Sequence, residues 1–475
     1  MVTKKRFIDE VVAQLEEENL AIFIGAGLSA PAGFVNWKEL LRPLAEDIDL
    51  DIDKEHDLVA VAQYHVTKHN NNRADLNQAI LDNFSKRDAK QTENHEVLAR
   101  LPINTFWTTN YDTLIEDALK SAGKIADVKH SVKQIPATTK GRDAVVYKMH
   151  GDVNHATDAI LCRDDYERYY RKHSPFITAL SGDLVSKTFI FLGFSFSDPN
   201  LDYILSRLRL DHEENQRKHF CILKKESKRQ EDKDGDLEYR KIKQSLFIND
   251  LQARYNIRAV LVDEYQNITD LLKTIEARHK RKTVFISGAA HDYSFYGSES
   301  DSLKLVQSIA RKLIQTNYKI VSGLGLGIGS SVIDGVLQEI YYVKKRTLKD
   351  ELIIRPFPQT NDVLWSQYRD DMLSYAGIAV FMFGNKQKDG TLQLSDGMRD
   401  EFEIALSKGI KVLPLGFTGY IAQELWKKVK TDFDSYYPTA TQSFIDAFNE
   451  LGKEKITSDN ILKNIEIALS ELGTM

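Results

Sequence analysis

Short runs of apolar residues recur along the chain, each followed by a stretch in which apolar positions return every third or fourth residue. This is the pattern of buried parallel strands alternating with the helices that cover them, and it predicts an α/β protein. Strands are expected over residues 21–24, 104–109, 144–149, 188–192, 220–223 and 258–262. Between residues 50 and 101 no comparable run occurs, while 58–64 and 76–84 have helical spacing, which predicts a helical insertion. A helical stretch over 268–275 leads into the basic run Arg278, His279, Lys280, Arg281 and Lys282. The strand pattern then resumes at 283–287, 319–322, 351–355, 378–383 and 411–415. The expected organisation is therefore two domains, residues 1–281 and 282–475, in keeping with about 100–200 residues per domain.

The composition is that of a folded globular protein, with 42% hydrophobic and 28% charged residues among 475. Lys and Arg number 64 against 69 Asp and Glu, a net charge of -5, which argues against a broad surface for nucleic acid or anionic lipid. The run from Lys224 to Lys243 is densely charged but mixed in sign and reads as a solvated helix or loop. No apolar stretch reaches the roughly 20 residues of a spanning helix, and the first residues lack the apolar core of a signal peptide, so a cytoplasmic protein with no membrane partner is expected. Two cysteines, Cys162 and Cys221, are too few for a disulfide framework or a four-thiolate zinc site.

Candidate chemistry gathers where the first strand set ends. The run 21–24 leads directly into Gly25-Ala26-Gly27-Leu28-Ser29, a turn whose bare backbone can approach a pyrophosphate at a helix N-terminus. Alone, such a turn serves tightness equally well. Three further segments fall at the same edge: Trp107-Thr108-Thr109-Asn110-Tyr111-Asp112, Met149-His150-Gly151-Asp152, and Gly193-Phe194-Ser195-Phe196-Ser197-Asp198-Pro199-Asn200. Open α/β sheets bind ligands at the carboxyl ends of their strands, so four polar or glycine-rich segments there point to one site.

The order Gly-Ala-Gly-x-Ser, Thr-x-Asn-x-Asp, His-Gly, Gly-x-Ser resembles the sirtuin superfamily over about residues 10–265. That resemblance implies nicotinamide adenine dinucleotide (NAD) as the bound cofactor, used here as substrate. It places Gly25, Ala26, Gly27 and Ser29 at the phosphates, Asn110 and Asp112 around the nicotinamide ribose, His150 as general base, and Ser195 on the adenosine side. Deacetylating sirtuins carry a four-cysteine zinc ribbon that two cysteines cannot build, so no structural metal is expected. The helical insertion takes the place of the small domain that caps the cofactor, and water then becomes the acceptor. Nicotinamide is a cationic leaving group whose glycosidic bond can break through an oxocarbenium-like transition state. Asn110 would position the ribose and water, and His150 would accept a proton, a role worth about 10²–10⁴-fold.

The second strand set has its own turn, Ser322-Gly323-Leu324-Gly325-Leu326-Gly327-Ile328-Gly329, whose alternate glycines give a backbone able to wrap an anion. Together with Ser287-Gly288, Arg369 and Glu401, this half resembles the SLOG family of Rossmann-like nucleotide-binding domains over about 283–420. The stretch from Gly384 to Glu401 lacks the Pro-Gly-Gly-x-Gly-Thr-x-x-Glu motif of its enzymatic relatives, which implies a sensor rather than a second hydrolase. Signal binding is expected at Ser287, Gly288, Gly323, Gly325, Gly327, Arg369 (a phosphate clamp) and Glu401 (a ribose or base contact). A sirtuin-like domain followed by a SLOG domain resembles the effectors of bacterial Thoeris anti-phage systems. The resemblance implies an NAD+ hydrolase activated by a cyclic ADP-ribose isomer from a TIR-domain partner, and assembly as a homo-oligomer, commonly a tetramer. A protein deacylase, an ADP-ribosyltransferase and a non-catalytic nucleotide sensor remain as alternatives.

Overall fold

The computed structural model describes residues 2–85, 89–230, 232–345, 347–357 and 364–475. The chain divides into two compact units, Met1–Glu276 and Ala277–Met475, with the division inside the helix Gln266–Lys280.

The first unit is built on seven parallel strands: β1 (Leu20–Ile24), β2 (Thr105–Thr108), β3 (Ala126–Lys129), β4 (Ala144–Lys148), β5 (Thr188–Leu192), β6 (His219–Lys224) and β7 (Ile257–Val262). Their order is β3-β4-β2-β1-β5-β6-β7, with Ile22 of β1 opposite Phe106 of β2 and Ile190 of β5. Every residue of β1 and β5 is buried, as expected for central strands covered on both faces. One face packs under the helix Lys4–Glu16, which is capped by Thr3 and buries Phe7, Ile8, Val11, Val12 and Leu15. The other carries Trp107, Phe176, Leu180, Phe189 and Phe191. Full burial of such side chains contributes about 1.5–3 kcal/mol each. The sheet reverses direction of growth at β1 and β5, so the ends of these two strands form the switch-point crevice.

Three expectations are corrected. The sequence predicts six strands, and β3 is a seventh, missed because Asp127 and Lys129 replace apolar residues on its buried face. There Asp127 pairs with Lys129 at 2.8 Å and with Arg142 at 2.7 Å. The helical insertion starts before residue 50: the helix Trp37–Asp47 packs with Leu58–Lys68 and Ala74–Phe84 around Leu40, Leu41, Leu44, Val61, Leu76 and Ile80. The helix Glu93–Arg100 is not part of it, since Val97, Leu98 and Ala99 pack into the core of the sheet. Residues 86–88 of the expected insertion, and Glu231 of the charged run, lie outside the described residues.

The second unit has β8 (Thr283–Ala289), β9 (Lys319–Ser322), β10 (Leu352–Ile354), β11 (Ile378–Phe383), β12 (Asn385–Lys388), β13 (Thr391–Leu394) and β14 (Lys411–Pro414). Five of them form a parallel sheet in the order β10-β9-β8-β11-β14, while β12 and β13 pair as an antiparallel hairpin that the apolar pattern did not predict. Its turn residues Asp389 and Gly390 both have positive φ, the Asp-Gly signature of a tight hairpin.

Candidate active site

The end of β1 sets the floor of the site. Gly25 and Gly27 donate their N–H groups to the carbonyls of Leu192 and Gly193 at 2.9 Å each. A side chain at Gly25 would overlap the Gly193 carbonyl, and Gly193 itself has φ +62°. These glycines therefore first allow two strand ends to touch. Gly25 lies behind the site, while Ala26, Gly27 and Ser29 line a cavity of about 470 Å³.

At the end of β2, Thr108 bridges to β1 by donating to the Ile24 carbonyl at 3.0 Å and accepting from the Asn110 N–H at 2.9 Å. Asn110 Nδ2 then donates to the Gly25 carbonyl at 3.2 Å and to Ser29 Oγ at 3.1 Å. Because a carbonyl accepts only a donor, this contact fixes the amide orientation and leaves the Asn110 oxygen as the carboxamide atom available to a ligand. Asp112 is buried. Its Oδ1 accepts from the Leu114 N–H at 3.1 Å, while its Oδ2 has no hydrogen-bond partner among the described residues. Asp112 lines the cavity, and a buried carboxylate oxygen without a partner calls for a donor such as a ligand hydroxyl.

His150 follows β4. Its Nε2 lies 3.1 Å from Asp198 Oδ2, close enough for an ion pair but outside hydrogen-bond alignment. Asp198 caps the helix Pro199–His212 by accepting from the Leu201 N–H at 2.9 Å. Burial disfavours its charge, but His150, the Leu201 amide and the Tyr166 hydroxyl outweigh burial and hold the carboxyl below its ordinary pKa. Tyr166 also meets the His150 ring edge to face at 5.5 Å. Ser195 lines the cavity and shares a 2.6 Å contact with Ser197 Oγ.

Asn110, Asp112, His150, Ala26, Gly27, Ser29 and Ser195 thus meet at one cavity. Sequence reasoning missed its apolar lining, Phe34 from the segment before the insertion and Trp37, Leu58 and Phe84 from the insertion's helices. It also missed Lys148, which is fully buried beneath the site. Lys148 Nζ lies 2.5 Å from Asp152 Oδ2 and 2.9 Å from Glu116 Oε1, and donates to the carbonyls of Tyr111 at 3.2 Å and Asp112 at 2.5 Å. Burial opposes its charge, but the two carboxylates keep its pKa above the ordinary value. One cation thereby ties the turn carrying Asn110 to the turn carrying His150. The signal for Asp198 was its place before Pro199, a helix-start signature; nothing local marks Lys148.

In the second unit, Ser287 Oγ donates to Glu401 Oε2 at 2.6 Å, and Arg369 Nε lies 3.6 Å from Glu401 Oε1. Arg369 Nη1 is 3.4 Å from Asp400, and its guanidinium sits 5.4 Å from the Phe357 ring centre and 5.7 Å from that of Trp365. A side chain at Gly323 would meet Phe357, while one at Gly325 would overlap the Gly288 carbonyl and one at Gly327 that of Ala290. Ser287, Arg369 and Glu401 are therefore one contact chain, and the glycines press their loop onto the end of β8, at the switch point of the second sheet.

Residues 104–259 match the SIR2-like domain, and residues 267–472 match the Sir2- and TIR-associating SLOG family. A curated relative from Bacillus cereus (strain MSX-D12), "NAD(+) hydrolase ThsA", is 49% identical over 461 residues, covering 97% of this chain and 96% of its own. The chain belongs to the ThsA family. A second ThsA, from Acinetobacter baumannii (strain 532279), is 49% identical over 463 residues and 95% of each chain. Beyond the ThsA family, "Defense-associated sirtuin 2" of Bacillus subtilis is 24% identical over 223 residues, 45% of this chain and 22% of its own.

Proposed function

We propose that the first unit hydrolyses NAD+ to ADP-ribose and nicotinamide in anti-phage defence of the Thoeris type. A cyclic ADP-ribose isomer made by a TIR-domain partner and bound to the second unit would switch it on. The observation that carries the hydrolase reading is the convergence of Asn110, Asp112 and His150 on one cavity at the sheet's switch point, in a chain of the ThsA family. Asp112 Oδ2 accepts a ribose hydroxyl, the Asn110 carboxamide oxygen orients the attacking water, and His150 takes a proton while Asp198 balances the resulting charge. The apolar wall of Phe34, Trp37, Leu58 and Phe84 suits the flat nicotinamide and limits water.

Support for the sensor reading is the Ser287–Glu401–Arg369 chain beside a glycine-rich turn. Arg369 already faces two carboxylates, so an incoming phosphate competes with Asp400 and Glu401 for it. Homo-oligomerisation, read as tetrameric from the family resemblance alone, would have an exposed apolar row available in Tyr239, Ile242 and Leu246. They are 67%, 53% and 65% exposed on the helix Asp236–Tyr255, at spacings that share one face.

The test is release of ADP-ribose from NAD+ by the purified protein, without any protein substrate, with and without cyclic ADP-ribose isomers. The expected result is activator-dependent ADP-ribose, lost in Asn110→Ala and His150→Ala variants that melt close to the parent. Transfer of ADP-ribose only to added protein, or near-normal turnover by either variant, would refute it.

A further inference from the structure

The helices Trp37–Asp47 and Leu58–Lys68 contribute Trp37, Lys38 and Leu58 to the wall of the cavity at their N-terminal ends. At their other ends, about 16 Å away at 1.5 Å per residue, a different chemistry is assembled. Asp47 is the last residue of the first helix, His65 lies in the last turn of the second, and His69 is its C-cap. His69 Nε2 is 2.6 Å and His65 Nε2 3.3 Å from the same atom, Asp47 Oδ2. One potential ligand atom from each of the three lies within 4.8 Å of the others.

We propose that Asp47, His65 and His69 form a three-ligand site for a zinc-class divalent ion that joins the far ends of the two cavity-wall helices. Two imidazoles four residues apart on a helix, with one carboxylate, are a donor set such ions take, leaving a fourth position for water. Ligand atoms on a tetrahedral zinc with bonds of about 2.0–2.1 Å lie about 3.3 Å apart. The Asp47–His65 contact already has that spacing, and the Asp47–His69 contact would open by less than about 1 Å.

Two further features favour a cation. The two helices end here together, so the negative ends of both dipoles converge. The imidazole rings stack at 4.5 Å with 30° between planes, an arrangement suited to two neutral ligands rather than two imidazolium ions. Asp47 and His69 are 51% and 37% exposed as side chains, which leaves an entry path and room for a water ligand. Lys68 stands nearby but is turned onto the Asp47 carbonyl at 3.0 Å and Asp49 at 3.7 Å. The site departs from the expectation of no structural metal, which rested on the cysteines missing for a sirtuin ribbon, because its ligands are two histidines and a carboxylate. A bound ion would stiffen the cavity wall, whatever reaction the cavity supports.

Chelator-treated full-length protein is titrated with Zn2+ alone by calorimetry, and with Co2+ by visible absorption. The expected result is one ion per chain, with Co2+ bands of four-coordinate intensity, and affinity reduced at least about tenfold in Asp47→Asn and in His69→Gln. Both substitutions are at partly exposed positions, and metal-free melting curves close to the parent's verify folding. Zn2+ should also slow amide exchange in both helices of the parent and not of the variants. Absence of saturable binding below about 0.1 mM would overturn the proposal and leave an ion-paired cluster only. Equal binding by the parent and both variants would also overturn it, by placing the ion elsewhere.

Discussion

Replacing Lys148 with methionine isolates what the buried ammonium does, because methionine fills a similar volume without charge. The ammonium meets Asp152, Glu116 and two backbone carbonyls within 3.2 Å, and the side chain is fully buried. Removing one partner of a buried ion pair costs about 3–5 kcal/mol. The two carbonyls lose a donor as well, but part of the cost is relieved by protonation of Glu116, whose pKa burial already pushes up. A net loss of about 4 kcal/mol corresponds to a fall of roughly 8–16 °C in the melting of a unit this size. Activity should suffer separately. The same ammonium holds the Asn110 turn to the His150 turn, and a displacement of about 1 Å at reacting groups can cost ~100-fold. Calorimetric melting and steady-state NAD+ hydrolysis are the assays. Combining Lys148→Met with Asp152→Asn removes the stranded carboxylate, so melting should recover while kcat stays low. A single variant that melts within about 2 °C of the parent, or keeps its kcat, would refute this reasoning.

Two other outcomes follow from the second unit. Arg369→Ala deletes a charge-assisted contact worth on the order of 1.5–3 kcal/mol, so activation should need roughly ten- to hundredfold more cyclic nucleotide, read from dose–response curves, with ligand-independent activity unchanged. Burial pushes the Glu401 carboxyl up to about 7, against the pull of Ser287 and Arg369. The folded state therefore holds this proton more tightly than the unfolded chain. The contribution is complete below the ordinary value of 4.5 and is lost as pH rises through about 7. Melting of the second unit should fall between pH 5 and 8 in the parent and flatten in Glu401→Gln; parallel curves would count against it.

What the sequence determined by itself was whatever depends on local pattern. Strands buried on both faces must be continuously apolar, so β1, β5 and β11 could be read directly, and the turns that follow β1, β2, β4 and β5 drew attention to Gly25, Asn110, His150 and Ser195. The edge strand β3 was not legible, because a charged pair can satisfy itself only once the chain has folded. Lys148 looked like any lysine after an apolar run. Only the packing of β4 beside β2 brings its ammonium under the Tyr111 and Asp112 carbonyls, where burial turns a solvated charge into a brace. The same holds for Asp47, His65 and His69. Along the chain the histidines show no metal spacing, because the carboxylate 18 residues before the nearer of these two joins them only where two helices end side by side. Periodicity records which face of an element is buried. Which polar groups share that burial is decided by elements that meet from distant parts of the chain.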